Sequence, residues 1–187
     1  IDERLLMPDR IREMCRHLFD QIITHGGAPE QKTIVFCASD LHADRVADQL
    51  GNLYRDWCLA HGKEPKAFYA FKCTAKSGGS DYMADLRGSA SSHFIACTVE
   101  LLSTGVDVPC VRNIVFMQYI RSPIVFYQML GRGTRIDADT EKLMFRVYDY
   151  TDATSLLGQG FITKFKGSGG KRKPPGRQNR LSAASGQ

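Results

Sequence analysis

No apolar stretch in this 187-residue sequence approaches the roughly 18 residues that a membrane span requires. The opening residues, Ile1-Asp2-Glu3-Arg4, are charged and lack the apolar core of a signal peptide, so neither membrane nor secretion is expected and the cytoplasm is. The cysteines, at positions 15, 37, 58, 73, 97 and 110, form no C-x-x-C pair. The five histidines show no ligand spacing, which argues against a zinc ribbon, and no metal site is expected. Cys37 and Cys97 fall inside apolar runs and read as buried free thiols, as suits a reducing compartment. Acidic residues stop at Asp152. Seven of the 25 basic residues lie beyond it, which leaves 18 against 20 acidic and a net of −2 for the first 152 residues. The overall charge of +5 is therefore a property of the tail and gives the body no basic face for nucleic acid. A phosphate loop is missing too. Gly169-Gly170-Lys171 imitates the end of one, but position 165 is Phe, Arg172 stands where Ser or Thr is needed, and no strand leads in. Asp2-Glu3 likewise imitates an acidic Mg²⁺-binding pair without its strand.

What remains suffices for one well-buried domain and a tail. Apolar residues from Ile11 to Ile23 recur at helical spacing, opening near Pro8 and stopping at Gly26-Gly27. Thr33–Ala38 has strand length, and Ser39 or Asp40 can cap a following helix whose buried face is Val46, Ala47, Leu50, Leu53, Tyr54 and Trp57. Ala67–Cys73, His93–Val99, Asn113–Gln118 and Phe145–Tyr150 read as further strands. Lys76–Ser80 reads as a polar loop, Ser80 as the cap of a short helix to about Arg87, and Ser122-Pro123 as the start of another that ends near Gly131 and Gly133. Alternating strands and helices predict an α/β domain of three layers, a mostly parallel sheet flanked by helices. The expected organisation is a leading amphipathic helix over 1–28, the lobe over 29–157, and a basic Gly/Pro/Ser-rich linker or tail over 158–187.

Two segments carry chemistry. Gln128-Met-Leu-Gly-Arg-Gly-Thr-Arg135 places Gln128, Arg132 and Arg135 at i, i+4 and i+7, one face if all three are helical. Paired guanidiniums repel unless an anion lies between them, and their planar forks suit phosphate oxygens. Gly131 and Gly133 would let a ligand or a second backbone come close. Residues 97–109 run from a buried strand through Leu101-Leu102 into Thr104-Gly105-Val106-Asp107-Val108-Pro109, a turn holding a carboxylate. Ligands gather at such strand-to-helix turns in open α/β sheets.

Thr98 to Pro109, read as T-x6-G-x-D-x-P, followed by Q-x-x-G-R-x-x-R, resembles motifs V and VI of superfamily 2 helicases and translocases. Thr33–Leu50 resembles motif IV. Within that superfamily Leu102–Phe116, Ile120–Arg135 and Tyr148-Asp-Tyr-Thr-Asp-Ala153 resemble the restriction (R) subunit of type I restriction-modification enzymes.

The resemblance implies a RecA-like fold and the second lobe of a two-lobed motor. Arg132 and Arg135 would be the arginine fingers. Gly105, Asp107, Gln128 and Gly131 would face the nucleotide, Asp107 toward a ribose hydroxyl or an arginine, unless it only caps its own turn. Ser39, Thr98 and Thr104 would touch nucleic-acid backbone, unless Ser39 is simply a helix cap. Arg121, beside a helix start, could contact phosphate or simply solvent and is not counted among the site residues. The implied cofactor is ATP with Mg²⁺, the metal held mainly by an absent first lobe. The implied partners are double-stranded DNA, the N-terminal RecA-like lobe and nuclease domain of the same protein, and methylation and specificity subunits. Alone, the chain is expected to be inactive. The same lobe in a repair or RNA helicase, and a non-catalytic binding module, are the competing readings.

Overall fold

The computed structural model of the chain describes residues 3–74, 82–99, 108–135, 137 and 142–155. A 3-10 turn (Glu3–Leu6) precedes helix α1 (Pro8–Gly26). Pro8 begins α1 because its fixed φ suits a first turn and its missing N–H is not needed there. Gly27 ends it at φ 77°, donating its N–H to the Ile23 carbonyl at 2.8 Å. Strand β1 (Thr33–Cys37), helix α2 (Asp40–Ala60), strand β2 (Ala70–Lys72), helix α3 (Tyr82–Gly88) and strand β3 (Ile95–Thr98) follow. Strand β4 (Asn113–Met117), helix α4 (Pro123–Gly131) and strand β5 (Arg146–Asp149) complete the order.

All pairings are parallel, in the sheet order β2-β3-β1-β4-β5. Successive strand side chains point to opposite faces, so each central strand feeds two cores. Val35, Cys37, Ile95, Cys97, Val115 and Met117 pack on one face against Leu18 and Ile22 of α1 and Val46 and Leu50 of α2. Ile34, Phe36, Ala96, Ile114 and Phe116 pack on the other against Leu86 of α3 and Phe126 and Met129 of α4. Burying each Val, Leu, Ile, Phe or Met among them contributes about 1.5–3 kcal/mol relative to exposure. A sheet covered on both faces needs continuously apolar central strands, and β1, β3 and β4 are buried at every position.

Strands β2 and β3 start later than the sequence pattern predicts. Phe68 (φ 52°) and His93 (φ 54°) both adopt left-handed backbone, which cannot continue a strand. The His93 N–H donates to the Phe68 carbonyl at 3.1 Å and the two rings stack at 5.0 Å, so the two kinks brace each other. On α2, Leu53 and Trp57 of the expected apolar face are only partly buried. All six cysteines are free and buried. The expected Lys76–Ser80 loop, the Ser80 cap, the Leu101-Leu102 segment and the tail lie outside the described residues. Among the described residues no helix is long and apolar enough to cross a membrane, and no group of three or more His, Cys, Asp or Glu could hold a metal ion.

Candidate functional site

Helix α4 begins as its sequence dictates. Ser122 caps it, its Oγ accepting from the Val125 N–H, and Pro123 opens its first turn. Gln128 lies exposed on this helix, Gly131 is its last residue, and Arg132 is its C-cap, still in right-handed geometry at φ −66° and ψ −26°. Gln128 and Arg132 therefore share a face, one turn apart. Arg135 does not. The chain turns at Gly133, whose N–H donates to the Leu130 carbonyl at 2.9 Å, and Arg135 lies past that turn. The expectation of one helical face for all three residues is corrected accordingly. Arg132 is half-buried and Arg135 exposed, so neither side chain is enclosed in the core.

The two glycines differ. A Cβ at Gly131 would meet open space, leaving its backbone approachable. A Cβ at Gly133 would lie 2.5 Å from a Phe145 ring carbon and 2.9 Å from Ile114 Cγ1. Gly133 is thus needed for the close seating of the arginine turn on β4 and β5, not for access by a ligand. Lys142 reinforces that seating. It is 1% exposed, and its Nζ donates to the carbonyls of Gly133 at 2.9 Å and Pro109 at 2.7 Å. Thr104, Gly105 and Asp107 lie outside the described residues, but Pro109, two residues beyond Asp107, is held beside the arginine turn by this contact.

Ile114 is the second residue of β4 and Phe145 directly precedes β5, so the arginine turn sits at the N-terminal edge of the sheet. Ser39 follows β1 and Thr98 ends β3, which places both at the C-terminal edge. The five residues of β4 set the two edges roughly 13 Å apart, at about 3.3 Å per residue. The arginine turn and the pair Ser39 and Thr98 thus occupy opposite rims of one sheet.

At the C-terminal rim, Ser39 is the N-cap of α2, its Oγ accepting from the His42 N–H at 3.2 Å. His42 reciprocates, its Nδ1 accepting from the Ala38 N–H at 3.1 Å. The pair resembles a capping box shifted by one residue, since the imidazole reaches the N–H of Ala38, just before the cap, rather than that of Ser39 itself. His42 is fully buried, and burial followed by the nearby Arg45 charge pushes its pKa down to about 4, so it is neutral near pH 7. Thr98 is 1% exposed, so its hydroxyl is enclosed within the protein, whereas Ser39 is only half-buried. Gln118 Nε2 donates to the Val99 carbonyl at 3.4 Å, and the Gln118 carbonyl accepts from Thr151 Oγ1 at 3.0 Å, which links the ends of β3, β4 and β5. Asp149 accepts from the N–H and hydroxyl groups of Thr151 and Thr154. Burial alone would raise its pKa, but the Thr154, Thr151 and Ala153 hydrogen bonds outweigh that and hold it below the usual carboxylate range.

The helicase conserved C-terminal domain family matches this sequence over residues 12–137, which takes in β1 to β4, α4 and the arginine turn. The chain belongs to that family. This helicase C-terminal lobe is 33% identical over 162 residues to the type I restriction enzyme EcoKI endonuclease subunit of Escherichia coli K12. The match takes in 82% of the chain and 13% of that subunit. It superposes with a TM-score of 0.71, at 33% identity, on a fragment assigned as an HsdR subunit of a type I restriction enzyme from Vibrio vulnificus YJ016, covering 83% of the lobe and 30% of that chain. The second domain of the DEAD-box helicase Mss116p, bound to an RNA duplex, superposes with a TM-score of 0.57 at 14% identity, over 82% of the lobe and 56% of that chain. That last likeness establishes the RecA-like helicase fold alone.

The sequence pattern singled out Arg132, Arg135 and Ser39 as candidates and gave no signal for the buried or bonded roles of Lys142, His42 and Gln118. A lysine in a charged stretch reads as solvated, and a helix-face histidine carries no periodic signal.

Proposed function

We propose that this chain is the second motor lobe of an ATP-driven translocase on double-stranded DNA. Its setting would be a type I restriction R subunit, facing a phosphate-loop lobe, with a nuclease domain in the same polypeptide and methylation and specificity subunits as partners. The observation that carries the reading is the surface placement of Arg132 and Arg135 at the sheet rim, directly after α4, within the motif order of the helicase family.

The residues present suit a polyphosphate. Arg132 and Arg135 offer cationic forks, Gln128 lies one turn before Arg132, and Gly131 leaves its backbone open to approach. ATP, when bound, supplies the γ-phosphoryl group whose cleavage drives the cycle, with Mg²⁺ held mainly by the first lobe. Arg132 and Arg135 reach toward that lobe and offset charge that develops on the phosphoryl oxygens only when the lobes close. Gln128 orients Arg132 or a phosphate oxygen. Asp107 accepts from a ribose hydroxyl or holds an arginine, and Gly105 lies against the nucleotide.

At the other rim Ser39 grips backbone phosphates without reading bases, a role that Thr104, outside the described residues, would share. Thr98, being enclosed, anchors the strand end from which that grip departs. Closure at the nucleotide rim is carried through stiff, doubly covered strands to the opposite rim. Alternation of two such grips, one per lobe, yields stepping.

The test is Arg132→Ala and Arg135→Ala in the full-length protein that carries this lobe. ATP hydrolysis should fall by on the order of 10³–10⁵-fold, with DNA binding retained and triplex displacement abolished. Unchanged hydrolysis would favour a non-catalytic module. Stimulation by single-stranded RNA rather than duplex DNA would move the lobe to another helicase class.

A further inference from the structure

We infer that Lys142 is a positioning residue for the arginine turn, locking it to the backbone at Pro109. The inference deepens the motor-lobe reading and rests on it.

Lysine is almost never fully buried, because an ammonium loses its hydration unless its donors are used. Lys142 is 1% exposed and spends two donors on main-chain carbonyls, those of Pro109 at 2.7 Å and Gly133 at 2.9 Å. Hydrogen bonds from an ionised donor are shorter and stronger than neutral ones. Their targets are telling. Gly133 lies between Arg132 and Arg135, and Pro109 lies two residues past Asp107. The ammonium therefore joins the two segments expected to meet the nucleotide, 24 residues apart in the chain.

The holder is itself held. Asp137 and Lys142 exchange both backbone hydrogen bonds, at 3.2 and 2.9 Å. Gly133 has no slack on its other side, where Phe145 and Ile114 occupy the space a Cβ would need. The turn is thus trapped between an apolar seat and a charged clamp. Fingers that must meet a developing charge within a fraction of an ångström need such a mount, since a displacement near 1 Å costs about 10²-fold in rate.

The experiment uses the full-length protein with Lys142→Met, which keeps volume and removes the donors. Arg132→Ala is the chemical reference. Leu18→Ala, in the core on the other sheet face, is the stability control. Thermal midpoint, kcat and KM for ATP, and affinity for ADP with and without aluminium fluoride are measured. Lys142→Met should lower kcat on the order of 10²-fold while KM and ADP affinity stay within roughly threefold. Affinity for ADP–aluminium fluoride should fall in step with kcat, because the fingers act on the transition state. Leu18→Ala should lower the thermal midpoint and keep both kcat and the analogue affinity. Should Lys142→Met fail to accumulate as folded protein, Lys142→Gln gives the same readout. If Arg132→Ala is inactive while folded Lys142→Met or Lys142→Gln keeps its kcat, the positioning role is overturned and the motor reading stands. A loss in which the Leu18→Ala protein matches the Lys142 variant in every parameter also overturns the role. If Arg132→Ala hydrolyses ATP normally, the motor reading itself fails, and the positioning role with it.

Discussion

Acidification should loosen the corner that presents Ser39, through His42. The imidazole is fully buried, takes the Ala38 N–H on Nδ1, and leaves Nε2 without a hydrogen-bond partner among the described residues. Because Nδ1 accepts, the neutral ring carries its hydrogen on Nε2, and a second proton would have to displace the Ala38 hydrogen bond; burial first, and then the nearby Arg45 charge, bring the pKa from 6.5 down to about 4. Above pH 6.5 folded and unfolded chains are both neutral at this residue and the stabilisation is complete. As pH falls from 6.5 toward 4 the unfolded chain takes up a proton and the folded one does not, so stability declines. Below pH 4 both are protonated and the loss is complete. The full difference is about 3 kcal/mol, of which about 2 kcal/mol is lost between pH 7 and pH 5. Urea unfolding followed by the single tryptophan, Trp57, reads this directly. His42→Gln is the comparison, since a Gln carbonyl can accept the Ala38 N–H and does not titrate. The parent should lose about 2 kcal/mol more than His42→Gln over that interval. Parallel pH curves for the two proteins would refute the reasoning.

The paired glycines give opposite expectations. Gly133→Ala should lower stability by about 1–3 kcal/mol through overpacking against Phe145 and Ile114, whereas Gly131→Ala, at a helix end with open space, should be neutral or stabilising by up to about 1 kcal/mol; thermal melts of the two decide it. Asp149→Ala should cost about 1–3 kcal/mol by stranding the Thr151 and Thr154 donors. Because the folded-state pKa of Asp149 is depressed, its contribution is present above the unfolded value and disappears as pH falls through the folded one, a more acidic window than that of His42. The chain by itself should show no steady-state ATP turnover, checked by phosphate release with and without DNA.

Where the sequence was a good guide, local pattern and tertiary demand agreed. Central strands β1, β3 and β4 are apolar at nearly every position because both faces are covered, and their runs stand out against polar turns. The α1 stripe, Pro8 and Gly27 mark that helix at both ends. Guidance failed where distant contacts decide. Phe68 and His93 are ordinary strand residues by type, yet each takes left-handed backbone because the other supports it. Arg135 left the expected helical face because Gly133 must fit under Phe145, 12 residues further along. Lys142 is buried because two carbonyls from separate segments converge on it, and composition carries no trace of that. The Q-x-x-G-R-x-x-R pattern could be read directly from the sequence; the scaffold on which it sits could not.

The cysteines carry a practical consequence. Each of the six is at most 8% exposed. Burial lifts the thiols of Cys15 and Cys110 and takes Cys73 to about 11, and a hydrogen bond with Cys37 does more still for Cys97. Alkylating reagents attack thiolates, so the native set should stay silent toward maleimide while the fold holds. A single dye installed at an exposed position such as Thr134 would then report on its own, without a cysteine-free background, and its distance to a second dye on a neighbouring lobe could be followed through each turnover.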